Sequence, residues 1–152
     1  MAAKVNGEST TPDQYGQING TDGADKISGT SDRDVLSGYG GTDKLYGNAG
    51  KDAFVIRLSD FDAATKIQDV IYDFGGAGGY SSTNNDFISL LHFGAGSTFS
   101  FAKYGAVNGV EDTNIQYYTI NSTETGLDYT ILVHSLNGKL LSQSKGDLNF
   151  YG

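Results

Sequence analysis

Between Gly20 and Val55 one apolar residue recurs at every ninth position: Ile27, Leu36, Leu45 and Phe54. Side chains alternate across a strand. A three-residue strand centred on each of these positions therefore sends one apolar side chain to one face and its two neighbours to the other. The six residues between successive strands are turn chemistry. Gly20, Gly29, Gly38 and Gly47 open the turns, and Asp25, Asp34, Asp43 and Asp52 close them. Glycine reaches positive φ without a steric cost, and Asp and Asn tolerate it. One such unit cannot bury its apolar side chain, but stacked units can. Two units make a coil of two strands and two turns. Ile27 is then expected over Leu45 and Leu36 over Phe54. The turn at 20–25 should face the turn at 38–43, and 29–34 should face 47–52.

The period ends at Val55, because Ile56 and Phe61 stand where Gly and Asp are due. β-Branched and aromatic runs at 66–74 and 86–93 then predict strands, separated by a Gly/Ser/Asn loop at 75–85. Further strands are expected at 98–104, 114–120, 129–136 and 139–143. Asn137-Gly138 between the last two is a type I′ hairpin signal. The single helix candidate is short, at 58–65. The fold class is all-β: a short parallel β-roll continuing into a C-terminal β-sandwich-like region. The expected organisation is a lead-in at 1–17, the roll at 18–56 and a β-rich region at 57–152.

Composition narrows the chemistry. A chain of 152 residues can build one domain with a real core. Its net charge of −8 makes nucleic acid and anionic membrane poor partners. Fifteen of the 18 acids are Asp, the shorter side chain that suits tight turns, which points to ligand or turn duty. There is no Cys, so a metal is the expected staple in place of disulfides. No apolar run approaches the roughly 18 residues of a membrane span. Residues 1–11 lack the apolar core of a cleaved signal peptide. The chain has no H-E-x-x-H, no G-x-S-x-G and no Cys nucleophile, and His92 and His134 stand alone. A non-catalytic module is expected. Tyr104, Tyr117 and Tyr118 read as exposed strand residues, with stacking on a sugar ring as the alternative.

In register, the four units carry Gly at position 1, Gly23, Asp32, Gly41 and Gly50 at position 4, Asp at position 6 and an apolar residue at position 8. This resembles the RTX (repeats-in-toxin) calcium-binding nonapeptide repeat of secreted bacterial proteins. Two features depart from it: position 2 is Thr21, Thr30, Tyr39 and Asn48 rather than Gly, and Asp32 replaces a glycine. Carboxylates and carbonyls in a flexible all-oxygen set suit Ca²⁺. The resemblance implies at least two ions. One site would take carbonyls of Thr21, Gly23, Gly38 and Gly40 with the carboxylates of Asp25 and Asp43. The second would take carbonyls of Thr30, Asp32, Gly47 and Ala49 with Asp34 and Asp52. Tyr39 and Gly41 with Asp43 could face Asp60 and Asp62. The turn before Gly20 has Gly16 in place of its Asp, so a site there would be degenerate.

Residues 69–74 and 86–90 resemble the segment that follows the repeats in serralysin-type proteases, lipases and the R-modules of mannuronan C5-epimerases. Turn capping is the expected role of Asp73 and Asp86. The tail from Asp147 resembles an uncleaved type I secretion signal. The resemblance therefore implies a calcium-binding module, exported by bacterial type I machinery to the extracellular space, that supports a covalently linked catalytic or adhesive domain. The other reading is a polysaccharide-binding (alginate-binding) R-module.

Overall fold

The computed structural model describes residues 1–61, 67–79 and 84–152, with the backbone alone for 67 and 68. The chain is all-β and forms two sheets. Strands of the repeat are three residues long: β3 (Gln17–Asn19), β4 (Lys26–Ser28), β5 (Val35–Ser37) and β6 (Lys44–Tyr46). The fifth, β7 (Ala53–Arg57), is longer. In each of these strands the apolar position 8 is buried. Strand β4 lies parallel on β6 with Ile27 opposite Leu45, and β5 lies parallel on β7 with Leu36 opposite Phe54. The expected stacking is present.

Parallel stacking does not stop where the glycine period stops. Strand β8 (Ile67–Phe74) adds to β6 with Leu45 opposite Ile71, and β9 (Phe87–Leu91) adds to β7 with Phe54 opposite Ile88. Asp69-Val-Ile-Tyr and Asp86-Phe-Ile-Ser repeat positions 6 to 9 of the unit without its glycine turn. The side-chain period that drives stacking therefore outlasts the turn chemistry that makes it conspicuous. Two apolar columns result. Ile27, Leu45, Ile71 and Val133 line one sheet; Ile18, Leu36, Phe54, Ile88 and Leu148 line the other, and all are buried in one core. Each such side chain contributes about 1.5–3 kcal/mol on burial.

The remaining strands extend the same two sheets. A hairpin of β1 (Lys4–Val5) and β2 (Glu8–Ser9) lies antiparallel on β4. At the other end, β12 (Asp128–Ser135) pairs parallel with β8, then β11 (Val110–Asn121) and β10 (Thr98–Val107) follow antiparallel. Strand β13 (Leu148–Tyr151) adds in parallel to β9. The 8-stranded sheet is ordered β10-β11-β12-β8-β6-β4-β1-β2, and the 5-stranded sheet β13-β9-β7-β5-β3.

Three expectations need correction. Residues 139–143 form no strand, and Asn137-Gly138 is a turn with only Gly138 at positive φ (70°). The carbonyls of 138 and 139 accept from the Gln116 side chain instead of a partner strand, and Leu141 is buried. Two-residue turns with both φ positive are found instead at Asn6-Gly7, between β1 and β2, and at Asn108-Gly109, between β10 and β11. Within 58–65 the described part is a 3-10 turn at Leu58–Asp60, and the rest lies outside the described residues. Tyr118 is buried, not exposed: its hydroxyl donates to Gln116 Oε1 (2.6 Å) and accepts from the Leu141 N–H (2.9 Å). Burial pushes its pKa up to about 12. Among the described residues no helix is long and apolar enough to cross a membrane.

Candidate metal centre

Stacking brings the turns together in the expected pairs. Asp25 donates its N–H to Asp43 Oδ1 (2.8 Å), and Asp34 donates its N–H to Asp52 Oδ1 (2.8 Å). The backbones approach so closely that glycine is required. A Cβ on Gly20 would lie 2.6 Å from the Gly38 carbonyl oxygen and 2.7 Å from Asp25 Oδ2. A Cβ on Gly29 would lie 2.7 Å from both Gly47 O and Asp34 Oδ2. In each pair, a carbonyl of the later turn and a carboxylate oxygen of the earlier one thus converge on one point. Gly40 packs against the Asp22 carbonyl, Gly41 against the Gly23 carbonyl and Gly50 against the Asp32 carbonyl. Asp25, Asp34, Asp43 and Asp52 are buried, whereas Thr21, Gly23, Asp32 and Ala49 lie at exposed turn tips.

The same N–H to carboxylate link continues past the repeats. Asp43 donates its N–H to Asp69 Oδ1 (3.1 Å), and Asp52 donates its N–H to Asp86 Oδ1 (2.9 Å). Each sheet edge therefore carries a ladder of three carboxylates, Asp25–Asp43–Asp69 and Asp34–Asp52–Asp86. Asp69 was not expected there. Its signal was the D-x-U-x spacing shared with positions 6 to 9. Asp73 accepts the N–H groups of Gly47 and Asn48 (2.8 Å each), and Asp86 also accepts the N–H of Gly75 (2.8 Å), so both cap turns. Asp60 is buried and accepts the Arg57 N–H (3.0 Å); Asp62 lies outside the described residues.

Two buried oxygens decide what the arrangement can hold. Asp43 Oδ2 and Asp52 Oδ2 have no hydrogen-bond partner. A buried charged oxygen without a donor is costly, and pairing with a cation removes that cost. Burial raises the pKa of Asp43, with the Asp25 charge adding to the rise. Burial pushes Asp52 up to about 7, helped by the charges of Asp86, Asp34 and Asp73, and Asp86 up to about 6. Asp69, deeply buried beside Asp43, is raised well above the ordinary range. Among the described residues no three His, Asp or Glu side chains converge as a side-chain-only metal site. The donors on hand are one or two carboxylates plus carbonyls, a set that fits a hard, oxygen-seeking divalent cation. Lys26, at the edge of the first turn, points to the outer face, with its Nζ 5.2 Å from the Tyr46 ring centroid.

Residues 19–53 match the family model of the RTX calcium-binding nonapeptide repeat (4 copies). No curated protein and no solved structure matches the chain significantly.

Proposed function

We propose, from the premise that residues 19–53 are calcium-binding RTX repeats, that this chain is a non-catalytic module whose folding is driven by calcium. The observation that carries this reading is the pair of buried, unpartnered oxygens Asp43 Oδ2 and Asp52 Oδ2 in paired glycine turns. One ion would be held by Asp25 and Asp43 with carbonyls of Thr21, Gly23, Gly38 and Gly40. The other would be held by Asp34 and Asp52 with carbonyls of Thr30, Asp32, Gly47 and Ala49. Bound calcium supplies the positive charge that lets these carboxylates stay ionised when buried. Two divalent ions halve the formal charge of −8.

In this reading the unfolded chain is the form that passes through a bacterial type I secretion channel, where free calcium is scarce. Outside the cell, calcium at millimolar concentration selects the folded form by mass action. Affinities of about 10⁻⁴–10⁻³ M per ion suit that switch. The chain then serves as a calcium-set platform for a covalently attached domain.

The test is circular dichroism and thermal melting of the whole chain in calcium and in EDTA. The expected result is a β signal and a cooperative melt with calcium, both lost or sharply weakened in EDTA. A melt that is the same in both sinks the proposal.

A further inference from the structure

The four repeat turns are not alike. In the third and fourth, position 2 has positive φ (Tyr39 65°, Asn48 70°), as does position 4 (Gly41 96°, Gly50 132°). In the first and second, neither position 2 (Thr21, Thr30) nor position 4 (Gly23, Asp32) is in that region. The difference appears in the carboxylates. Thr21 donates to Asp25 Oδ2 twice, from its N–H (2.5 Å) and its hydroxyl (2.9 Å), and its Oγ1 accepts the Gly23 N–H (3.1 Å). Thr30 does the same to Asp34 Oδ2 (2.6 and 2.9 Å), and its Oγ1 accepts the Asp32 N–H (3.1 Å). Asp25 Oδ1 accepts from Asn6 Nδ2 (2.6 Å), so that carboxylate is served on both oxygens. Burial acts to raise the Asp25 pKa, but the donors from Thr21 and Asn6 outweigh it and the pKa lies below the ordinary value. Asp43 and Asp52 lack this closure, and among the four repeat aspartates theirs are the fully buried oxygens without a partner.

We propose that Thr21 and Thr30 are affinity-setting residues: their hydroxyls occupy the Asp25 and Asp34 oxygens that face the later turn, and calcium must displace them. This rests on the reading of these turns as calcium sites. A carboxylate oxygen has about two lone-pair directions. On Asp25 Oδ2 both are taken by Thr21. That oxygen and the Gly38 carbonyl lie against the same point of Gly20, so it faces the gap between the turns. An ion shared with the later turn needs one of those directions. The hydroxyl yields it most easily, because its proton rotates while the backbone N–H is fixed. The clamp thus holds the first coil closed without metal and weakens the two sites. The trailing carboxylates, with nothing to displace, supply the pull.

The test is isothermal titration of calcium into the full-length wild type, T21V/T30V and T21S/T30S. Valine keeps the shape and the N–H and removes the hydroxyl; serine keeps the hydroxyl. Losing one hydrogen bond to a charged group is worth about tenfold in affinity per site. T21V/T30V is expected to bind calcium about tenfold more tightly at both sites and to melt at a lower temperature in EDTA. T21S/T30S should match wild type. Equal or weaker binding by T21V/T30V overturns the proposal, as does tighter binding by the serine variant. Should T21V/T30V fail to fold in EDTA, T21V and T30V are titrated singly against the same criteria. A wild type that binds no calcium would instead sink the function proposed above, so the two failures are distinguishable.

Discussion

Residues at one repeat position carry different loads. Gly23 and Gly50 both occupy position 4. A Cβ on Gly23 would meet only the Thr21 hydroxyl oxygen, at 3.7 Å. One on Gly50 would overlap the Asp32 carbonyl, and its φ of 132° suits glycine alone. Gly50→Ala should therefore cost about 1–3 kcal/mol, while Gly23→Ala should be nearly neutral. Denaturant melts of the two variants in calcium check this, and equal losses would refute it. The aspartates differ in the same way. Asp43 lies between Asp25 and Asp69, whereas Asp25 is backed by Asn6. Asp43→Ala should remove the first site and any ion bound between Asp43 and Asp69. Asp25→Ala should affect the first site alone. Calcium stoichiometry by equilibrium dialysis measures the difference, and the pairing fails if both variants equal wild type.

At the level of elements, the ladders tie stability to pH. Asp52 and Asp86 titrate at about 7 and about 6 in the fold, against 3.8 for an ordinary Asp. Between about pH 4 and 7 the folded chain therefore holds protons that the unfolded chain has lost, and stability falls as pH rises. Asp25 and His134, with their pKa values lowered, act in the opposite sense; the Asp25 contribution is complete once the pH is above 3.8, and His134 is one group against the raised Asp43, Asp52, Asp69 and Asp86. In EDTA the melting temperature should be higher at about pH 5 than at about pH 7.5. Saturating calcium should abolish that decline, since binding needs the ionised carboxylates and releases their protons. A metal-free melting temperature that climbs with pH over this range would contradict the ladder.

For the whole molecule, buried polar links join the two sheets beyond the repeats, among them one at Ser122 and one at Tyr118. Tyr118 on β11 accepts the N–H of Leu141, on the segment that leads to β13 of the other sheet, and donates to Gln116. Tyr118→Phe leaves a buried N–H without its acceptor and should cost about 1–3 kcal/mol. Calcium stoichiometry should stay the same, because the link lies outside the turns. Thermal melts paired with calcium titration check both halves; a lost ion would show that the roll and the closing strands are coupled through this contact.

The roll's stacking and turn pairing were legible from the chain alone. A nine-residue period with one apolar position and fixed Gly and Asp positions leaves few ways to bury Ile27, Leu36, Leu45 and Phe54. Local chemistry repeated in register determines them, and the same residues name the metal. The tertiary structure decided what local pattern cannot express. Asp69 and Asp86 join the ladders because β8 and β9 stack on the roll, and no glycine period marks that event. Residues 139–143 form no strand because the Gln116 side chain, 23 positions from Lys139, takes the carbonyls of Gly138 and Lys139 at the start of the segment. Tyr118 is buried because Leu141 and Phe99 pack where solvent would otherwise be. Finally, Thr21 and Thr30 are ordinary turn residues by composition. Only the placement of their hydroxyls on Asp25 and Asp34, opposite the open carboxylates of Asp43 and Asp52, separates turns that close themselves from turns that call for an ion.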